Sequence, residues 1–264
     1  MSLQFCSLSS GSSGNCQYIS TDNVKILVDS GLSGKKVENF LKEIEVQANT
    51  IDGILVTHEH KDHIKGVGIL SRRYDLPIYA NTNTWKAMEG ELGKINEKNI
   101  IEFKTDEGFE LKDLAILPFR ISHDSSEPVG FAFYHKNKKI SYLTDTGYVS
   151  DDVKKKIRNS NLLVVESNHD VEMLKIGKYP WFLKKRVLGS EGHLSNEDAG
   201  KLITEVLSGR EQDILLAHLS KENNFPELAY QTVVNIVSEK GIKINEEVNI
   251  NLTYRDKPTR VFNY

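Results

Sequence analysis

An apolar run that ends directly in a cluster of histidines and acids limits the folds open to this chain more than any other feature. The run "GILVT" spans residues 53 to 57, and "HEHKDH" follows it at 58 to 63. A short apolar run bounded by polar residues is typical of a strand that is buried on both faces, as in sheets covered by helices. In α/β proteins, ligand sites collect at the carboxyl ends of such strands. The pattern therefore predicts a central strand with a ligand-binding loop at its end.

The loop itself has the composition of a metal site. His58, His60, Asp62 and His63 place three imidazoles and a carboxylate within six positions. Imidazole suits zinc and other transition metals, whereas a carboxylate also accepts harder ions, so this set can serve two adjacent metals. The alternative is a solvated polar loop, but four side chains of ligand type at this spacing favour metal binding.

The rest of the chain alternates strand-like and helical patterns. Runs rich in β-branched and aromatic residues, bounded by turn residues, predict strands at 25–29, 53–58, 77–80, 130–135, 139–145, 161–167 and 213–219. Apolar residues at three- and four-residue spacing, with capping residues such as Ser195 at their starts, predict helices at 34–44, 151–159, 195–209 and 225–241. We therefore expect an α/β fold, in which residues 1–264 form a single domain.

Composition limits the binding partners and the cellular location that we expect for the protein. The net charge of −3 gives no overall attraction to nucleic acid, so such binding needs a local basic surface. Two cysteines without CxxC spacing are too few for a disulfide framework, and we expect them to be reduced. The apolar stretches are too short to cross a membrane, and the first residues lack a basic start and an apolar segment. We expect a cytoplasmic protein that does not associate with membranes.

One loop does not complete two coordination spheres, and three further candidates follow predicted strands. His123 follows "LAILPFRIS", Asp145 ends "ISYLTD", and His218 ends "DILLAH". Taken singly, a histidine at a strand end is more often a surface residue, and an aspartate before Thr-Gly more often forms a turn. Together with the loop, the three residues are predicted to be metal ligands.

The order of these residues resembles the metallo-β-lactamase superfamily over nearly the whole chain, from "ILVDSG" to "LLAHLS". The resemblance implies a four-layer αββα sandwich with a dinuclear site in the groove between two sheets. It implies that His58, His60 and His123 hold one metal, that Asp62, His63 and His218 hold the other, and that Asp145 bridges them. Departures are informative: His60 stands where flavodiiron oxygen reductases have Glu, and the late cysteine ligand of true β-lactamases is missing.

Motifs in the C-terminal half resemble the tRNase Z branch of the superfamily. These are "LLVVESNHD" at 162–170, "GHLSNEDAG" at 192–200 and "LLAHLS" at 215–220. The resemblance implies that Glu166 orients His193, and that His193 acts as a general acid or charge stabiliser beside Asp62. In the alternative interpretation, His193 caps a backbone group and Glu166 is an exposed carboxylate at a strand end.

The segment "LSSGSSGNC" near the start and "AHLSKENN" near the end are similar to the YycJ/WalJ family of bacterial metallo-hydrolases. That resemblance implies a 5′-to-3′ DNA exonuclease that uses two divalent ions, Zn²⁺ or Mn²⁺, with Fe as a further option. No long tRNA-binding arm is inserted in the sequence, which favours DNA over RNA processing. Two other classes stay open: a thioesterase or lactonase acting on a small molecule, and a non-catalytic metal-binding module.

Two segments are candidates for substrate contacts. Ser10, Ser12 and Ser13 lie in a glycine-containing turn whose backbone N–H groups could converge on a phosphate; the alternative is a plain β-turn. The segment "YPWFLKKRVLGSEGH" combines aromatic residues with Lys184, Lys185 and Arg186, a set suited to phosphates and unpaired bases. In the alternative, its aromatic residues Trp181 and Phe182 are core and its charges form a solvated face.

Three remaining residues complete the set of candidates. His169 follows Glu166 by three positions and is a candidate substrate contact. Asp29 in "LVDSG" is expected to support a metal-binding histidine from behind, as such carboxylates often do. His135 in "FYHKNKK" is expected to be exposed at a hairpin tip.

Overall fold

Two sheets of seven strands each form the centre of the protein in the computed structural model, which describes residues 2–209 and 211–264. The first sheet contains β1 (Gln4–Ser9), β2 (Cys16–Ser20), β3 (Lys25–Val28), β4 (Gly53–Leu55), β5 (Ile78–Asn81), β6 (Ile100–Phe103) and β14 (Phe262–Asn263), in the order β14-β1-β2-β3-β4-β5-β6. The second contains β7 (Phe109–Leu111), β8 (Leu114–Arg120), β9 (Val129–His135), β10 (Lys138–Leu143), β11 (Leu162–Glu166), β12 (Gln212–Ala217) and β13 (Val248–Leu252), in the order β13-β12-β11-β10-β9-β8-β7.

The helices connect these strands. They are α1 (Gly34–Glu43), α2 (Lys61–Ile64), α3 (Val67–Tyr74), α4 (Thr82–Ala87), α5 (Asp151–Ile157), α6 (Val171–Ile176), α7 (Trp181–Leu188), α8 (Asn196–Val206) and α9 (Pro226–Glu239), with single 3₁₀ turns at Ala48–Thr50 and Glu97–Asn99. The predicted cap at Ser195 is present, because its side chain accepts a hydrogen bond from the backbone N–H of Asp198. In the described part of the chain, no helix is long and apolar enough to span a membrane.

Strand direction brings the loops of interest to one edge of the sandwich. In the first sheet, β3, β4, β5 and β6 run parallel to one another. In the second, β10, β11, β12 and β13 are parallel, and β8 shares their direction because both β8 and β10 are antiparallel to β9. The residues that follow these strands therefore emerge at the carboxyl ends, where α/β proteins bind ligands.

Three apolar clusters define four layers. One cluster combines residues of both sheets, such as Phe5 and Val28 with Phe131 and Leu162, and fills the space between the sheets. A second packs α1, α3 and α4 on the outer face of the first sheet. A third packs α5, α8 and α9 on the outer face of the second sheet. The molecule is therefore an αββα sandwich, which confirms the predicted fold class.

One expectation about the fold is wrong. His135 ends β9, but its side chain is buried, and its Nδ1 lies 2.9 Å from the backbone oxygen of Asp113. The β7–β8 hairpin runs beside β9 and covers the imidazole, which the local sequence of the β9–β10 turn does not reveal.

Candidate metal centre

Part of the loop after β4 forms a single helical turn, α2, which carries Asp62 and His63. His60 caps the turn α2, and His58 and His63 are buried while His60 and Asp62 are partly exposed. The backbone at Gly31 passes very close to the backbone of this helical turn. A Cβ on Gly31 would lie 1.6 Å from the backbone oxygen of Asp62, so only glycine allows this approach.

Three imidazoles form the first donor group. The Nε2 atom of His58 lies 3.1 Å from the Nδ1 atom of His60, and the Nε2 atom of His123 lies 3.3 Å from the same Nδ1 atom. Ligands of a tetrahedral zinc ion, at the usual Zn–N distance, are about 3.4 Å apart. The three nitrogens have the spacing of ligands around one metal ion.

The second donor group combines two imidazoles and two carboxylates. His63 Nε2 lies 3.5 Å from Asp62 Oδ2 and 3.4 Å from Asp145 Oδ2, and His218 Nε2 lies 3.6 Å from Asp62 Oδ2. Asp145 Oδ2 and His218 Nε2 are buried and have no hydrogen-bond partner in the described residues. Buried polar atoms are normally paired, so these two require a partner that the chain itself does not supply. A divalent cation fits that requirement.

Three residues of this centre follow strands in an uncommon backbone conformation. Asp29, Asp145 and His218 follow β3, β10 and β12 with φ angles of 60°, 57° and 55°. Residues other than glycine seldom adopt the left-handed region, and such strain concentrates at functional sites. At each strand end the left-handed residue turns the chain and places its side chain in the cluster.

Asp29 supports the loop from behind, as expected. Its carboxylate accepts hydrogen bonds from the backbone N–H and the hydroxyl of Thr57, both at 2.9 Å, and lies 2.8 Å from Nδ1 of His63. Burial raises the pKa of Asp29, and contact with His63 and Thr57 partly offsets this effect. A proton held on Nδ1 leaves Nε2 of His63 free to bind a metal.

Glu166 is shared between two histidines. Its Oε1 atom lies 2.8 Å from Nδ1 of His193 and 2.8 Å from Nδ1 of His218, and Oε2 accepts the backbone N–H groups of Thr146 and Leu194. Burial opposes its ionisation, but the two imidazoles outweigh burial and lower the pKa of Glu166 to about 2. These four contacts engage both carboxylate oxygens, an arrangement suited to holding the two histidines in position, although Glu166 also belongs to a group of residues that could hold a metal ion.

The electrostatics of the cluster favour a bound cation. Burial lowers the pKa of His218, but Asp145, Asp62 and Glu166 outweigh it and raise that pKa to about 10. The pKa of His63 is likewise raised against burial by Asp145, Asp29 and Asp62. The carboxylates therefore stabilise positive charge at the histidines, and a divalent ion supplies such charge. Both the donor set and its charge fit divalent metal binding.

A cavity of about 340 Å³ opens directly onto these donors. Its floor contains His60, Asp62, His123, Asp145 and His218, with His193 at the side. One wall is formed by α7 and the residues around it, namely Tyr179, Leu183, Arg186 and Val187. Because the imidazole of His193 is 20% exposed and its Nδ1 is engaged by Glu166, its other nitrogen remains available to a bound molecule.

The predicted serine contacts divide into three environments. Ser12 lines the cavity over the metal donors, whereas Ser13 lines a neighbouring cavity. Ser10 is buried, and its hydroxyl accepts a hydrogen bond from the backbone N–H of His218 at 2.9 Å. Ser10 therefore holds a donor residue in place; it also lines the neighbouring cavity, and its predicted contact with substrate stays a prediction.

The basic residues of α7 also differ in their surroundings. Arg186 lines the cavity and is paired with Asp124, the residue that follows His123. Lys184 donates to the backbone oxygen of Lys175, and the ammonium of Lys185 lies 5.5 Å from the centre of the Trp181 ring. Trp181 and Phe182 are 64% and 74% exposed, so the interpretation that they belong to the core is wrong.

His169, a predicted substrate contact, is buried. Its side chain is 1% exposed, and both ring nitrogens lack a hydrogen-bond partner within the described chain. Burial lowers its pKa to about 4, so the ring is neutral at pH 7. The loop after β11 turns this residue inward, where its backbone pairs with that of Ser195. This burial does not favour the predicted contact of His169 with substrate, which stays a prediction.

Sequence reasoning missed two asparagines that contact the donors. Asn15 Nδ2 lies 3.3 Å from Asp62 Oδ2 and 3.0 Å from His63 Nε2. Asn168 Nδ2 donates to the backbone oxygen of His218 at 2.8 Å. Both asparagines stand inside motifs that the sequence analysis quoted, "SGNC" and "ESNHD", so their place in those motifs was the available signal.

Comparisons with known proteins agree with the geometry. Residues 25–218 match the family described as the Beta-lactamase superfamily domain. The chain is 47% identical over 261 residues to a Bacillus anthracis protein named Exodeoxyribonuclease YycJ, with 99% of each chain covered. It is 44% identical over 256 residues to Exodeoxyribonuclease WalJ of Streptococcus pneumoniae, covering 96% of this chain and 94% of the relative. The metallo-beta-lactamase fold protein YhfI from Bacillus subtilis superposes with a TM-score of 0.74 at 15% identity, covering all of both chains.

Proposed function

This chain belongs to the β-lactamase superfamily domain family, and from that premise we propose that it is a metal-dependent exodeoxyribonuclease. Its reaction is hydrolysis of phosphodiester bonds. Two relatives that match almost the full chain are named as exodeoxyribonucleases, which supports DNA as the substrate. The 5′-to-3′ direction of digestion is part of the proposal and rests on the resemblance of the motifs described above.

The pair formed by Glu166 and His193 is the observation that carries the proposal. Both carbonyl and phosphodiester hydrolysis need an activated water, and phosphodiester hydrolysis also needs help for a departing alkoxide, which the thiolate released from a thioester does not. Glu166 holds Nδ1 of His193 at 2.8 Å, and the imidazole reaches the side of the cavity. In this proposal, His193 donates a proton to a leaving oxygen from the nitrogen that Glu166 does not engage.

Divalent ions held by the two donor groups would supply a water of lowered pKa and neutralise charge on the phosphate. We assign His58, His60 and His123 to one ion and Asp62, His63 and His218 to a second, with Asp145 between them. Mixed nitrogen and oxygen donors suit Zn²⁺ or Mn²⁺, and iron is compatible with the same set.

Asp62 has a second role in this proposal. Its carboxylate faces the cavity and accepts a hydrogen bond from Asn15 at 3.3 Å. Burial raises the pKa of Asp62, but His63 and His218 outweigh it, and the net shift is downward. The carboxylate is therefore ionised near neutral pH and can accept the proton of an attacking water.

Helix α7, which lines one part of the cavity, carries basic and aromatic side chains suited to binding a nucleic-acid strand. Arg186 lines the cavity, and Lys184 and Lys185 lie on the same helix as the exposed rings of Trp181 and Phe182. Basic side chains hold backbone phosphates and aromatic rings stack on unpaired bases. We include these three cations among the substrate contacts, together with Ser12. We also propose that residues 1–264 act as one domain and that the protein is cytoplasmic.

A comparison of linear with covalently closed DNA distinguishes an exonuclease from an endonuclease, and small esters test for a carbonyl hydrolase. We expect the metal-loaded protein to shorten linear duplex DNA progressively and to leave a covalently closed circle of the same sequence intact, because an exonuclease requires an end. RNA of the same sequence, a thioester and a lactone serve as parallel substrates. Cleavage of the circle at the same rate would identify an endonuclease, and turnover confined to the thioester or lactone would identify a carbonyl hydrolase.

A further inference from the structure

A second cavity of about 470 Å³ lies beside the metal centre and holds none of the assigned metal ligands. Its lining includes Ser10, Ser13, Lys36, Lys221, Arg255 and Asp256. Three of these side chains are cationic and one is anionic, whereas the whole chain carries a net charge of −3. Positive charge is therefore concentrated at this cavity.

The lysines of this cavity are free to engage a ligand. Lys36 on α1 and Lys221 in the loop after β12 are both exposed. Within the described residues, neither ammonium forms an ion pair with a carboxylate, although Lys36 lies 5.3 Å from the centre of the Phe40 ring. Many other lysines of the protein, such as Lys98, Lys112 and Lys156, are paired with acids.

Arg255 is fixed in place at the cavity wall. Its guanidinium donates through Nη2 to the backbone oxygen of Leu219, and its chain lies against Gly11, where a Cβ would come within 3.0 Å of Nε. That Nε atom is buried and has no hydrogen-bond partner in the part of the chain described. Because Nη2 is anchored on Leu219, the guanidinium is held in a fixed position at the cavity, and a guanidinium matches the geometry of a phosphate.

The two cavities are separated by only a few residues of shared wall. Ser12 and Ser220 line the metal cavity, while their chain neighbours Ser13 and Lys221 line the second. Adjacent residues of the same two loops therefore line both cavities, which makes the cavities neighbours. The C-terminal segment is bound to the same loop, because Ser10 N–H donates to the oxygen of Tyr254 and Ser9 Oγ donates to that of Arg255.

We propose that this second cavity is a phosphate subsite, in which Lys36, Lys221 and Arg255 hold a backbone phosphate of the DNA strand next to the one being cleaved. The proposal rests on the nuclease function proposed above and adds to it a site that fixes the position of the strand. Ser13 supplies a hydroxyl at the same wall, and Asp256 limits the net charge. Tyr254, which also lines the cavity, has the ammonium of Lys257 4.3 Å from the centre of its ring.

The test compares DNA binding with turnover of a small ester. The double variant Lys36→Ala/Lys221→Ala is measured against a fluorescent single-stranded oligonucleotide with phosphorothioate linkages, at several salt concentrations. We expect Kd to rise about tenfold, and the slope of log K against log salt to fall by about 0.7, because the proposed subsite holds one phosphate and each lost phosphate contact on a single strand removes about 0.7. Turnover of bis(4-nitrophenyl) phosphate, which reports on the metal centre alone, should be unchanged.

A matched control removes two exposed lysines elsewhere. The variant Lys42→Ala/Lys240→Ala makes the same change in net charge at the ends of α1 and α9. We expect its salt slope to equal that of the wild type. An unchanged slope in the Lys36/Lys221 variant, or an equal loss in the control, would overturn the subsite while leaving the nuclease function intact. If the wild-type protein with metal hydrolyses neither DNA nor the small ester, the proposed function itself fails.

Discussion

The Asp145→Asn variant is expected to lose more than 100-fold in metal affinity and about 1,000-fold in kcat/KM on DNA. Asp145 is the carboxylate that lies between the two donor groups, and its buried Oδ2 atom has no partner in the described chain. The change removes charge and a donor oxygen but keeps the volume. Loss of a supporting contact around a metal ligand already costs about 10- to 100-fold, and loss of a ligand costs more. A drop of 1,000-fold corresponds to about 4 kcal/mol of transition-state stabilisation.

Asparagine is the right replacement because it also preserves the backbone conformation at position 145. Asp145 has a φ angle of 57°, and asparagine tolerates the left-handed region better than most residues. Asp106→Asn is a matched control, since Asp106 has a φ angle of 67° but is exposed and remote from the cluster. Metal content by elemental analysis and DNA hydrolysis are measured for both variants. Full metal binding by Asp145→Asn would show that this residue is a turn former and no ligand.

The His193→Ala variant is expected to keep its metals and lose about 100- to 10,000-fold in kcat on DNA, the usual contribution of a general acid. His193 contacts Glu166 and lies beside the donor groups, so its removal leaves both assigned ligand sets complete. Elemental analysis confirms the metal content, and single-turnover hydrolysis of labelled DNA gives the rate of the chemical step.

The leaving group separates the two roles of His193. A 4-nitrophenolate ion departs without protonation, so the loss on thymidine 5′-(4-nitrophenyl phosphate) should be less than about tenfold if His193 is a general acid. His135→Asn, at a buried histidine of the second sheet, controls for loss of an imidazole elsewhere. An equally large loss on both substrates would assign charge stabilisation to His193, and an unchanged rate on DNA would remove it from the reaction.

The donor residues were predictable because they lie in loops that begin at the ends of strands. Apolar runs before His58, His123, Asp145 and His218 predict strand ends, and parallel strands bring such ends to the same edge. The fold class followed from the same alternation of strands and helices, together with the resemblance of the motifs. The assignment of the ligands to two separate groups came from the resemblance alone, and the interatomic distances are consistent with it.

The contacts around the donors were harder to predict, because they depend on tertiary packing. Ser10 belongs to a serine-rich turn that suggests phosphate binding, yet its hydroxyl holds the backbone of His218, a residue 208 positions away. His169 is turned inward by the loop after β11, although its spacing from Glu166 suggested a place in the groove. The cavity around Arg255 is lined by residues of the first loop and of the C-terminal segment, which are far apart in the sequence. No local sequence pattern predicts that these two segments are in contact.

The most direct test of the metal-dependent exonuclease uses protein stripped of metal, with Mn²⁺ or Zn²⁺ added back. The substrate is a duplex DNA labelled at one 5′ end, and Asp62→Ala is the control variant. We predict release of short 5′-labelled products only after metal is restored, and no release by the variant. Equal cleavage by the stripped protein, or no cleavage of DNA with either metal, would contradict the account.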